Sequence, residues 1–172
     1  MEGYDEFRSL LKELYDNGVF VVTADFNMLD ESITGAKFAT GILDKEDQQG
    51  EPNDFTNYKP ELDMYGYPNS TLFVVAGDKT VASASNPNSL RHDSKGSTSW
   101  SRPVFAGIYA CALQCADEHN IQLTPKIFWD YAYKTGQDVY ENGEFVGKAI
   151  DAEALINAML EDKNANQTNF GI

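Results

Sequence analysis

The stretch Gly96-Ser97-Thr98-Ser99-Trp100-Ser101-Arg102-Pro103-Val104-Phe105-Ala106-Gly107 gathers hydroxyl side chains at 97, 98, 99 and 101, then turns small and apolar. The apolar spacing continues and predicts a long helix from about 100 to 118. Val104, Ile108, Cys111 and Cys115 lie along one side, and Phe105, Ala106, Ala110, Ala112 and Leu113 fill others. A helix apolar nearly all round belongs in an interior. Its amino end offers unpaired N–H groups and about half a positive charge, which suits an oxyanion and not a cation. The hydroxyls there have two readings. One is plain capping, for which Ser and Thr are favoured. The other is a serine that attacks a carbonyl while its own N–H holds the negative oxygen that forms. Pro103 fits the first turn of such a helix, where its missing N–H would have had no partner.

Outward from this helix the chain reads as alternating helices and apolar strands. Residues about 4–17 form the first helix, with Phe7, Leu10, Leu11 and Leu14 at helical spacing and Asn17-Gly18 as its stop. The unbroken Val19–Val22 run predicts an interior strand, and KFATGIL (37–43) a second. ELDMYGYP, STLFVVAG and TVASAS predict further short strands, while DKEDQQGEPNDF and NPNSLRHDSKG read as loops. Thr124-Pro125 opens a helix that stops at Gly136, ENGE (141–144) makes a type I′ hairpin turn, and Asp151 caps a last helix. Residues 161–172 read as a polar tail. This order predicts an α/β domain.

At 172 residues the chain is long enough for one domain with a sizeable core. Lys+Arg 13 against Asp+Glu 27 gives a net charge of -14, which repels nucleic acid and anionic membranes, so neither is expected as a partner. No apolar run approaches the roughly 18 residues of a membrane helix. The N-terminus, MEGYDEFRSLL, carries acids where a secretory signal carries Lys or Arg, so nothing directs export and the chain as written reads as cytoplasmic. Cys111 and Cys115, one helical turn apart, read as small buried thiols, with no metal site and no disulfide.

The opening stretch resembles the nucleophile motif of the subtilisin-like serine peptidases, Gly-Thr-Ser-x-Ala/Ser-x-Pro followed by Val-Ala-Gly. Here it runs Ser97-Thr98-Ser99-Trp100-Ser101-Arg102-Pro103-Val104-Phe105-Ala106-Gly107, with Ser97 where the family has Gly. By this resemblance Ser99 is the nucleophile. Asn27, at the end of TADFN, takes the oxyanion role, and Pro68 closes a loop-strand. VGKAIDAEALINAM is similar to the family's C-terminal strand-into-helix. The resemblance implies the C-terminal portion, 1–160, of a three-layer subtilisin-like domain, with a mostly parallel sheet, helices on both faces and a C-terminal hairpin. It implies no cofactor. Two features depart from the family. Asp25-Phe26-Asn27 places a large ring where small residues line the substrate pocket, and only about ten residues separate Asn27 from the next strand.

In that family the catalytic Asp and His precede the Ser in chain order. Of the histidines here, His119 is 20 positions along the same helix, roughly 30 Å from Ser99, and His92 lies beside Asp93 in the preceding loop. The expected function is therefore a serine endopeptidase that cleaves peptide bonds through an acyl-enzyme. This chain supplies nucleophile and oxyanion donor, and is inactive alone. For a subtilisin, loss of the Ser or His costs about 10⁶ in turnover. The alternative is a catalytically silent module of the same ancestry that binds protein partners, with Phe26 plugging the pocket. A third reading, an α/β-hydrolase esterase, is weak, since no Gly-x-Ser-x-Gly elbow occurs. Cutting a parallel sheet bares a strand edge. Each ~400 Å² of apolar surface left wet forgoes roughly 10 kcal/mol. The expected partners are thus a peptide or protein substrate and either a second copy or a complementary chain, paired through that edge.

Overall fold

The computed structural model describes residues 4–21, 37–43, 55–61, 71–75, 79–82, 86, 88–93 and 98–168. Helix α1 (Tyr4–Asp16) is followed by β1 (Lys37–Leu43), a 3-10 turn at Phe55–Asn57, β2 (Tyr58–Pro60) and β3 (Thr71–Val75). Then come β4 (Lys79–Ala82), β5 (Leu90–Asp93), α2 (Thr98–His119), α3 (Pro125–Thr135), β6 (Gln137–Glu141), β7 (Glu144–Ala149) and α4 (Ala152–Thr168). The protein is a mixed α/β structure.

Five strands form one sheet in the order β2-β1-β3-β7-β6. Its centre is parallel, since β3 runs with both β1 and β7, and its outer pairs β1–β2 and β6–β7 are antiparallel. The sheet is therefore mixed, where a mostly parallel one was expected. The outer strands are short returns beside their neighbours, and no crossover separates β6 from β7. The hairpin itself is as expected: Asn142 and Gly143 both take positive φ, 51° and 86°, as a type I′ turn requires.

Strand β3 is buried at every position, so its alternating side chains feed two cores. Leu72 and Val74 join Phe38 against Phe105, Tyr109 and Ala112 of α2, Phe128 and Trp129 of α3, and Leu155 and Met159 of α4. Phe73 and Val75 face the other way, with Ala39, Phe55, Tyr58, Val139, Val146 and Ala149. Among the described residues that second face carries no α-helix, and Phe55 and Tyr58 cover it instead. Among the described residues the expectation of helices on both faces is thus met on one face only. Gly41 makes room for this cover, because a Cβ there would stand 2.5 Å from the Phe55 ring.

Several local signals act as read. Gly18, at φ +85°, ends α1, with Val19 N–H donating to Leu14 at 2.9 Å. Thr124 caps α3 through Ile127 N–H at 3.2 Å, and Asp151 caps α4 through Ala154 N–H at 2.9 Å. Others differ. Residues 19–21 form no strand. Val19 is 47% exposed, and Phe20 turns into the core with its ring centroid 5.2–5.7 Å from those of Phe38, Phe105 and Tyr109. Tyr109 fixes this turn by donating its hydroxyl to the Gly18 carbonyl at 2.9 Å. The loop read over NPNSLRHDSKG contains β5, which pairs with β4 in a separate ribbon. Helix α4 runs to Thr168, so residues 161–168, read as tail, prolong it. Asp162, one of them, accepts a hydrogen bond from Tyr131 at 2.9 Å.

Candidate active site

Helix α2 begins at Thr98, two residues before the reading of the sequence placed it. Two described hydroxyls of the opening stretch part company there. Ser101 is fully buried and shares a hydrogen bond of 2.8 Å with Thr40 Oγ1 of β1. Ser99, two positions earlier, is exposed in the first turn. A helix turns about 100° per residue, so the two side chains leave on different sides. Ser101 anchors the helix to the central sheet, and Ser99 remains open to a substrate. Its own N–H belongs to the first turn and has no acceptor within the helix.

The start at Thr98 moves Pro103 into the second turn, where a first-turn proline was expected. Proline has no N–H to offer the carbonyl one turn back, which here is that of Ser99. The rung between residues 99 and 103 is missing from the helix.

Arg102 follows Ser101 into the interior and is 6% exposed. Its guanidinium carbon stands 5.9 Å from the Phe38 ring centroid, within the range of a cation–π contact. Burial lowers its pKa from the ordinary arginine value to about 10, and the charge of Glu61 acts in the opposite direction. A cation near a helix N-terminus is unfavourable by dipole, and the ring and Glu61 offset this. The helix end makes the neighbourhood of Ser99 positive, which favours a developing oxyanion.

The remaining sequence candidates are dispersed. Asn27, with Asp25, Phe26 and Pro68, lies outside the described residues, so its separation from Ser99 is not defined. His119 sits at the far end of α2, its Nδ1 2.9 Å from the Cys115 carbonyl oxygen and 3.9 Å from Cys115 Sγ. It cannot serve Ser99 from there. His92 and Asp93 are consecutive residues of β5, with Thr80 and Lys79 of β4 as register partners, and do not belong to a loop. Cys111 and Cys115 are free thiols; Cys115 is half-buried, but Cys111 is exposed where a buried thiol was expected. The reason is that α2 packs through one side only. Among the described residues no group of His, Cys, Asp or Glu could hold a metal ion, and no helix is long and apolar enough to cross a membrane.

Thr40, Arg102 and Glu61 were not singled out from the sequence. Thr40 left one trace, a lone hydroxyl within the apolar strand KFATGIL. The other two depend on a tertiary approach that no local pattern encodes. No protein-family model and no curated protein matches this chain.

Proposed function

We propose that this chain is the C-terminal portion of a subtilisin-like serine endopeptidase domain, with a three-layer fold. The observation that carries the reading is the sorting of hydroxyls at the head of α2. Ser101 is tied to Thr40 inside the protein, and Ser99 stands exposed at the helix end. Ser99 attacks the peptide carbonyl, and its N–H and the side chain of Asn27 hold the oxyanion of the tetrahedral intermediate. The leaving amine departs protonated, and water then attacks the acyl-serine to release the acid. A free serine hydroxyl is a weak nucleophile at neutral pH, so an Asp–His pair from a segment outside this chain takes its proton.

A fluorophosphonate probe tests this. Labelling at Ser99 is expected when an upstream segment bearing the Asp and His is added, and is expected to vanish in Ser99→Ala. No labelling in either case supports the second reading, a silent module of the same ancestry. That reading draws on the unpartnered apolar face of α2 described next.

A further inference from the structure

Over residues 103–113 the exposed positions of α2 are Pro103, Ala106, Gly107, Ala110, Cys111 and Leu113. None carries a polar side chain, although the outer side of a surface helix is normally charged or polar. Helix α1, by contrast, sets Asp5, Glu6, Lys12, Glu13 and Asp16 on its exposed side, around Phe7 and Leu10. The exposed side of α2 follows a seam through 103, 107, 110, 114 and 117, bare up to 110 and polar at Gln114 and Asp117, in alternate steps of four and three, which is the spacing of packed helices. At its middle, a Cβ on Gly107 would meet nothing within 4 Å. Among the described residues nothing requires that glycine, and glycine is a costly choice within a helix. It leaves space for another backbone to come close.

The charges along α2 indicate what comes close. The first turn holds no acid, whereas Asp117 and Glu118 stand exposed near the carboxyl end, where negative charge opposes the helix dipole. An antiparallel copy of the same helix answers both features. We propose that two copies of this chain associate through the outer side of α2, with the helices antiparallel about a two-fold axis between Gly107 and Ala110. In that register Gly107 faces the partner's Ala110, Pro103 faces the partner's Gln114, and Ser99 is level with the partner's Glu118. The acids of each helix meet the amide end of the other, where anions are stabilised. The small side chains admit an axis separation of about 8 Å, at the close end of helix packing.

The strand edges are poorer templates. Among the described residues β2 stops at Pro60, and β6 carries Asp138 and Glu141. The helix face therefore replaces the sheet edge as the route of association. The inference is independent of the peptidase reading, since it requires no chemistry at Ser99.

Sedimentation equilibrium of the full chain tests it at about 0.15 M salt, where screening confines repulsion between the acidic chains to roughly 8 Å. A monomer–dimer equilibrium is expected. Gly107→Arg and Ala110→Glu should each weaken it by at least about tenfold in Kd. Gly107→Arg should also raise the thermal stability of the monomer, because arginine is the better helix former, so lost association cannot be mistaken for lost folding. Glu118→Lys should weaken the dimer roughly threefold or more through the two helix ends. A wild type that stays monomeric overturns the proposal, as does a dimer indifferent to both central substitutions. A dimer indifferent to Glu118→Lys overturns the antiparallel arrangement. Pairing only with an added upstream segment, and never with itself, overturns it in favour of a different partner.

Discussion

Thr40 and Ser101, 61 residues apart in the chain, meet through their hydroxyls at 2.8 Å in the interior. The pair joins strand β1 to the first turn of α2, and so fixes the height at which that helix starts. Everything offered to solvent at its head, Ser99 included, takes its position from this contact.

Removing either hydroxyl should therefore cost stability. Ser101→Ala and Thr40→Val are each expected to lower the unfolding free energy by about 1 kcal/mol, and by up to roughly 3 if the remaining hydroxyl is left poorly satisfied. The double variant should lose less than the sum. Urea unfolding of the four proteins measures the coupling, and strict additivity would show that the contact contributes nothing.

Ser99 should behave in the opposite way. Being exposed, Ser99→Ala is expected to change stability by no more than about 0.5 kcal/mol, while abolishing fluorophosphonate labelling of the completed domain. Thermal melts beside the labelling gel check both halves. A destabilised Ser99→Ala would mark the residue as a structural cap.

Gly147 presents a steric test of the sheet. It takes φ +143°, and a Cβ there would lie 2.3 Å from the Thr71 carbonyl oxygen, a backbone atom of β3 that cannot swing aside. Gly147→Ala is expected to destabilise by about 2 kcal/mol or more, read from the denaturation midpoint. An unchanged midpoint would mean that β7 does not lie against β3 in this register.

A pH dependence follows from Tyr131. Burial, its hydrogen bond to Asp162 and the charge of that carboxylate all raise its pKa above the ordinary 10.0. The folded state then holds the phenolic proton more tightly than the unfolded chain. The resulting stability is fully present below pH 10 and is lost as pH rises through the folded value. Tyr131→Phe should flatten that decline, and absorbance titration of the phenolate should show Tyr131 ionising earlier in Asp162→Asn. No difference between these variants and the wild type would remove the contact.

How much was legible follows from how local each signal is. The Thr124 cap with Pro125, the Asn142-Gly143 turn and the Asp151 cap each act within a few residues, and each was readable. Over its described residues, 19–21, the Val19–Val22 run misled because apolar character does not specify extension. Phe20 satisfies it by entering an aromatic cluster from a turn. Strand β5 was hidden because its residues are mostly polar and its support comes from β4. In α2 the count of apolar residues overstated burial within the chain, since Ala106, Gly107 and Ala110 lie on the side turned away from the sheet. At the candidate site Ser99 was legible as a motif, whereas the Thr40 clamp and the surroundings of Arg102 exist only once β1 and α2 are side by side.

The proline at 103 has a mechanical consequence. With one tie absent above it, residue 99 rides on a short lever whose fulcrum is the clamped residue 101. No main-chain hydrogen bond runs between 99 and 103, so the carbonyl of residue 99 is left to solvent or to another donor while the rest of the helix stays fixed to the sheet.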